Sequence, residues 1–150
     1  MTHSQHTSRL DFPAAAPKVF KAVLALDAAA GEGLDPVVRE LVKIYASQLN
    51  HCTYCIEYHT TDARAAGETE QRIYQLGGWR ESLLYTAAER AALALTEAVT
   101  LLPGGVPDEV YQRAAEHFDE RQLAGLIALI ATVNVWNRIN VTARTTPGTR

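Results

Sequence analysis

Helix-forming segments separated by strong stop signals run through nearly the whole chain, and this punctuation limits the folds that it can adopt. Asp35-Pro36 is typical of a helix start, because aspartate caps free N–H groups and proline fits the first helical position. Gly67, Gly77-Gly78 and Pro103-Gly104-Gly105 mark helix ends or breaks. We find no sustained alternation of apolar and polar residues and no Asn-Gly or Asp-Gly hairpin turn. The sequence therefore predicts an all-α domain, a bundle of about six to eight helices.

The helix boundaries follow from capping signals and from apolar residues at helical spacing. Thr86 and Asp119 each have a capping partner three residues on, and Asp108 is a further candidate cap. Asp108 and Asp119 are thus expected to cap the last two helices. The earlier helices are expected at about residues 14–29, 36–49, 52–66, 69–76 and 86–102.

The 150 residues suffice for one domain with a real core, and we expect a helical domain over residues 13–142. Residues 1–12 are expected to form a flexible N-terminal arm and residues 143–150 a C-terminal tail. A net charge of −3 without clustered basic residues gives no electrostatic case for nucleic acid or an anionic membrane as partner.

The chain is expected to be cytoplasmic. Its N-terminus lacks the apolar core of a signal peptide. The longest apolar stretch, residues 123–136, is too short to span a bilayer and is interpreted as a buried helix. Without a secretion signal, a lone C-x-x-C pair is more often catalytic or metal-binding than a structural staple.

Both cysteines lie in one short motif, with Cys52 and Cys55 followed by His59. On one helix these residues occupy positions i, i+3 and i+7, which share a single face. His59 lies one turn from Cys55 and can take a thiol proton from it. Cys52 lies in the first turn, where the helix dipole favours a thiolate. This pattern predicts redox chemistry, because a thiolate pair can close a disulfide.

Glu40 lies at the same level of the bundle as His59 if the two successive helices are antiparallel neighbours. Glu40 is nine residues before Leu49, roughly 13 Å down the first helix, and His59 is seven residues past Cys52, roughly 10 Å down the second. A carboxylate facing an imidazole can orient it and raise its basicity. The spacing therefore suggests a proton relay from Glu40 through His59 to the cysteines.

Other interpretations of these residues stay open. The cysteines could be two small buried apolar residues, His59 an ordinary histidine and Glu40 a solvated charge. Alternatively, Cys52, Cys55 and His59 could bind zinc with Glu40 or His51 as the fourth ligand. Three ligands on one helical face make a poor tetrahedron, however, and no second ligand pair completes the site. We expect neither a metal nor a cofactor.

The motif E-x11-C-x-x-C-x3-H, carried by Glu40, Cys52, Cys55 and His59, resembles that of the alkylhydroperoxidase D / carboxymuconolactone decarboxylase superfamily. The similarity extends over roughly residues 13–142, through the flanking run L-D-P-V-V-R-E-L-V and the later N-V-W-N-R-I. It implies an all-helical antioxidant-type fold that assembles as homotrimers or homohexamers. One departure is Tyr54, since some peroxidase members carry a histidine there.

The resemblance implies thiol-dependent reduction of a small hydroperoxide, or of a partner's disulfide, with an unidentified thiol or protein reductant. By position, Cys55 attacks the peroxide, and Cys52 donates a proton and resolves the sulfenic acid, with Glu40 and His59 as the relay. The decarboxylase branch generally lacks the cysteine pair, which argues against lactone decarboxylation.

Two other functions are alternatives to the peroxidase. The chain could be a redox-sensing or partner-binding module, or a decarboxylase-like or isomerase-like enzyme that uses Glu40 and His59. Trp136, Asn137 and Arg138 are interpreted as a packing tryptophan and a solvated arginine rather than as the edge of a pocket or of a subunit contact.

Overall fold

The computed structural model describes residues 7–148, and these residues form eight α-helices and two short 3-10 helices without a strand. The prediction of an all-α domain is therefore confirmed. The helices are α1 (Phe12–Ala15), α2 (Pro17–Ala29), α3 (Pro36–Leu49), α4 (Thr53–Ala65), α5 (Glu70–Tyr74), α6 (Ala87–Thr100), α7 (Asp108–His117) and α8 (Glu120–Ala143). The 3-10 helices cover Leu76–Gly78 and Leu102–Gly104.

The helix ends agree with the capping signals at most of the expected positions. The Asp35 carboxylate accepts the Val37 N–H at 2.7 Å and begins α3. Asp119 begins α8 with a full capping box, in which Gln122 supplies the return hydrogen bond. The expectation that Asp108 caps α7 was wrong. Pro107 takes the extended cap conformation and its carbonyl accepts the first N–H groups, so Asp108 is already helical.

Helix α3 lies at the centre of the bundle and is buried along most of its length. Seven consecutive residues, 41–47, are buried, because α4, α6 and α8 all pack against α3. It contributes Val38 and Val42 to the apolar cluster shared with α6 and α8, and Leu41 and Ile44 to a second cluster beneath α4 and α5. Side chains on α3 are therefore held from several sides.

Helix α8 is longer than the apolar stretch in the sequence indicated. It runs for 24 residues, about 36 Å at the rise of an α-helix, and passes through three asparagines without a break. By length and composition alone it could cross a membrane. Core helices of soluble proteins pass the same test, and here Leu126, Leu129 and Ile130 are completely buried against α3 and α6.

Both ends of the described chain are tied to the bundle. The backbone N–H of Arg9 donates to the carbonyl of Ala143 at 2.8 Å, although Arg9 lies in the expected arm. After α8, the backbone turns at Arg144 in the left-handed region, and the Gly148 N–H donates to the Glu57 carboxylate on α4. Residues 1–6 of the expected arm and 149–150 of the expected tail lie outside the described residues.

Candidate active site

A tight turn between α3 and α4 places the cysteine pair. His51 adopts a left-handed backbone with φ 55°, which lets the chain reverse within three residues. The Cys52 N–H donates to the carbonyl of Ser47 at 2.9 Å. Cys52 is consequently the N-cap of α4, and the helix begins at Thr53, one residue after its expected start.

Cys52 and Cys55 form a disulfide, with their Cα atoms 5.3 Å apart. The Cys52 sulfur also accepts the Cys55 N–H at 3.4 Å, as a capping atom does. Each cysteine is only 2% exposed. The pair is therefore buried, and a reactant reaches it only when neighbouring side chains move.

Glu40 and His59 face each other across the α3–α4 contact. Glu40 Oε2 lies 3.8 Å from His59 Nδ1, and both side chains are mostly buried. His59 shares a helical face with Cys55 one turn earlier. On the other side, the Lys43 ammonium lies 3.5 Å from Glu40 Oε1. The carboxylate thus stands between an ammonium and an imidazole, where it can exchange a proton with the imidazole.

Burial raises the pKa of Glu40, and the charge of Asp62 adds to that effect, while Lys43 and Arg39 oppose it. A carboxyl group whose pKa is raised accepts a proton more readily near neutral pH. This is the property that a proton relay needs from its outer member.

A metal would need a donor set other than the zinc alternative of Cys52, Cys55 and His59. The disulfide joins the two sulfurs to each other, so they are not thiolate ligands here. Donor atoms of Glu40, His59 and Asp62 lie within 4.8 Å of one another. The Lys43 ammonium beside Glu40 opposes a divalent cation at that point, so we interpret the three groups as a proton-transfer cluster.

Hydrogen-bonded amides fasten the α3–α4 turn to α8. Asn137 is completely buried, accepts from Asn50 at 2.9 Å and donates to the Ser47 hydroxyl at 3.0 Å. Asn50 also donates to Asn134, which donates to Thr100 on α6. Because the Ser47 carbonyl accepts the Cys52 N–H, this network also anchors the start of the cysteine pair.

The structure agrees with a packing role for Trp136 and a solvated side chain for Arg138. Trp136 packs edge-on against Phe20 of α2, with ring centroids 5.6 Å apart, and the exposed Arg138 bonds back to Asn134. Asn137, however, belongs to the buried network and has more than a packing role. The signal was the regular spacing of Asn134, Asn137 and Asn140, every three residues in an apolar helix.

Asn140 was likewise not predicted to lie near the cysteines. Its amide Nδ2 lies 3.8 Å from Cys55 Sγ and 2.9 Å from the carbonyl of Trp136. Asn140 therefore adds a polar side chain from α8 to a site whose other polar residues, Glu40 and His59, come from α3 and α4.

Two surface cavities are lined by residues other than Cys52 and Cys55. The larger, about 500 Å³, lies near the C-terminal end of α4, where Glu68 and Glu89 already neutralise Arg72. The smaller, about 130 Å³, is lined by Tyr54, Glu57, Tyr58 and Gly148 on the outer side of α4. Tyr54, in the position of the histidine of some peroxidases, thus forms an aromatic wall with Tyr58.

Comparison with known proteins places this fold and motif. The carboxymuconolactone decarboxylase family matches residues 17–98, which include Glu40, both cysteines and His59. The Bacillus subtilis (strain 168) protein YdfG is 43% identical over 137 residues, which are 90% of this chain and 93% of that protein. The Escherichia coli (strain K12) protein YnjA is 35% identical over 107 residues, 71% of this chain and 59% of YnjA. Both are uncharacterised.

Solved structures agree. The Agrobacterium tumefaciens protein ATU0492, of unknown function and proposed as the antioxidant-defence protein AhpD, superposes with a TM-score of 0.92 at 34% identity, over 96% of this chain and all of that one. A peroxidase-related protein with an alkylhydroperoxidase AhpD core, from Ralstonia eutropha JMP134, has a TM-score of 0.80 at 23% identity, over 91% of this chain and 74% of that one, and shares the fold.

The fold and the motif together define an all-helical protein of the alkylhydroperoxidase D class. The chain belongs to the carboxymuconolactone decarboxylase family.

Proposed function

We propose that this protein is a thiol-dependent peroxidase that reduces small organic hydroperoxides, with Cys52 and Cys55 cycling between dithiol and disulfide. The observation that carries the proposal is the Cys52–Cys55 pair in disulfide geometry at the N-terminus of α4, with the Glu40–His59 contact on the same side of the helix. The AhpD-type relatives support it.

The reaction starts from the dithiol. The Cys55 thiolate attacks the distal oxygen of the hydroperoxide, the O–O bond breaks, and the leaving alkoxide takes a proton to become an alcohol. Cys55 is then a sulfenic acid. Cys52 Sγ displaces its hydroxyl group, which leaves as water with the Cys52 proton, and the disulfide forms. The dithiol loses two electrons and the hydroperoxide gains them.

Glu40 and His59 move the protons in this scheme. His59, one turn from Cys55, accepts the thiol proton and returns it to the alkoxide. Glu40 holds the imidazole at 3.8 Å and, with its raised pKa, shares the proton while the sulfur is charged. In the disulfide each cysteine is only 2% exposed, and such burial limits the access of a second hydroperoxide to Cys55.

The disulfide must be reduced again by an external dithiol, in a second exchange reaction. We place the protein in the cytoplasm, where thiol reductants are abundant.

We further propose a homotrimer or homohexamer. Apolar side chains of α2, among them Val19, Leu24 and Leu26, are about half exposed, and only Val23 of this helix is buried, so a second copy has an apolar surface to cover.

Trapping the sulfenic acid tests the proposal. Reduced C52S protein treated with a stoichiometric organic hydroperoxide and dimedone should gain one dimedone adduct at Cys55, because the resolving thiol is missing. Reduced C55S protein should gain none under the same conditions. The intact wild-type protein should lose two hydrogens and both free thiols.

An adduct in C55S but not in C52S would assign the attack to Cys52 and contradict the assignment of the nucleophile. Wild-type protein that keeps both thiols would contradict the peroxidase itself. The alternative enzyme that uses only Glu40 and His59 would retain its activity in C55S, whereas the peroxidase would not.

A further inference from the structure

Asn140 is held by its own helix in an orientation that aims it at the cysteine pair. Its Nδ2 donates to the Trp136 carbonyl at 2.9 Å, one helical turn earlier. A main-chain carbonyl can only accept, so this bond identifies the amide nitrogen and uses one of its two N–H groups. The same nitrogen lies 3.8 Å from Cys55 Sγ, and its second N–H is available to the sulfur.

The two sulfurs receive donors of different kinds. Cys52 Sγ caps α4, accepts a backbone N–H at 3.4 Å and lies at the positive end of the helix dipole. Those features alone would make Cys52 the more acidic thiol. Both sulfurs are equally buried, which disfavours either thiolate, but only Cys55 receives a side-chain donor from a different helix, Asn140.

We propose that Asn140 is a catalytic residue that donates an amide N–H to the Cys55 thiolate and thereby makes Cys55, rather than Cys52, the attacking sulfur. A charged sulfur is a much stronger acceptor than a disulfide sulfur, so the contact is expected to shorten on reduction. The choice of nucleophile rests on the proposed function. The hydrogen bond to the thiolate does not, because it exists before any peroxide binds.

The test measures how readily each thiol ionises, without peroxide. Reduced C52S protein is alkylated with iodoacetamide over a range of pH, and labelling at Cys55 is followed by mass spectrometry. Adding Asn140→Ala should raise the pH midpoint of labelling by about one pH unit, or about tenfold less thiolate at a given pH below the midpoint. Asn140→Asp, which has the same shape but replaces the donor with a negative charge, should raise it further.

Thr142→Asp is the matched control, since Thr142 is exposed on the same helix two residues later. It adds the same charge to α8 and should leave the midpoint within a few tenths of a pH unit. Cys52, measured in C55S protein, should not respond to Asn140→Ala. These variants leave unchanged the titratable groups of the motif and its flanks and those at the end of α8. The groups are Glu40, Lys43, His51, Tyr54, Glu57, Tyr58, His59, Asp62, Arg138 and Arg144.

An unchanged Cys55 midpoint in both Asn140 variants would overturn the proposal, and so would an equal shift in T142D. Asn140→Leu, which has a similar size and no donor or charge, keeps the test valid if N140A does not fold. The two proposals fail separately. An Asn140-dependent midpoint in a protein that does not react with hydroperoxide supports this inference and removes the peroxidase, whereas fast peroxide reduction with an unchanged midpoint does the reverse.

Discussion

Glu40 is the residue whose environment makes the clearest pH prediction. Because burial raises its native pKa, the folded protein holds the Glu40 proton more tightly than the unfolded chain does. Stability therefore falls as pH rises above about 4.5, the ordinary glutamate value, until native Glu40 is fully ionised. Glu40→Gln should remove this loss and make the free energy of unfolding less dependent on pH above about 4.5.

Glu97 provides a control of opposite sign. The hydrogen bond from Arg80 lowers the pKa of Glu97, so its contribution to stability is present above pH 4.5 and is lost as pH falls through the lowered native pKa. Glu97→Gln should therefore destabilise the protein at pH 7 and have little effect in acid. Urea unfolding at several pH values measures both. If the free energy of unfolding depends on pH equally in E40Q and in the wild type, burial does not raise the pKa of Glu40.

At the scale of single elements, the start of α8 can be tested against a nearby aspartate that does not cap. Asp119 accepts the Gln122 N–H at 2.8 Å in a capping box, whereas Asp108 follows the N-cap Pro107. Asp119→Ala should cost about 1 kcal/mol of unfolding free energy, and Asp108→Ala only a few tenths. Similar losses for the two variants would contradict the assigned helix starts.

The junction of α3, α4 and α8 depends on a buried amide. Asn137→Ala leaves the buried Ser47 hydroxyl and the partly buried Asn50 amide each without one partner. We expect a loss of about 2 kcal/mol in unfolding free energy. Gln112→Ala removes an exposed amide from α7 and should cost less than about 0.5 kcal/mol. Equal costs for the two, measured by urea unfolding, would show that the network does not stabilise the turn.

For the whole molecule, the exposed apolar side of α2 predicts self-association. Sedimentation should give three or six times the chain mass of 16.4 kDa. Leu26→Glu, which places a charge among the exposed apolar residues, should lower that mass, and Lys21→Glu, an exposed polar position of the same helix, should not. A single species at the chain mass for the wild type would contradict the proposed oligomer.

The helices were largely predictable because their signals are local. Asp35-Pro36 and the Asp119/Gln122 pair act within one turn, so the sequence suffices to locate those starts. The contact between Glu40 and His59 followed from helix rise and a short connection. Asn137 and Asn140 were missed in their roles because their partners, Ser47 and Cys55, are some 90 residues away, and only tertiary packing brings them together.

The rate at which a hydroperoxide oxidises the reduced protein tests the central claim most directly. Stopped-flow measurements of disulfide formation, at increasing concentrations of a small organic hydroperoxide, should give a second-order rate constant at least tenfold above that of free cysteine at the same pH. Glu40→Gln and Cys55→Ser should lower it, the second to background. A wild-type rate no greater than that of free cysteine would contradict the peroxidase and leave the pair to disulfide exchange or sensing.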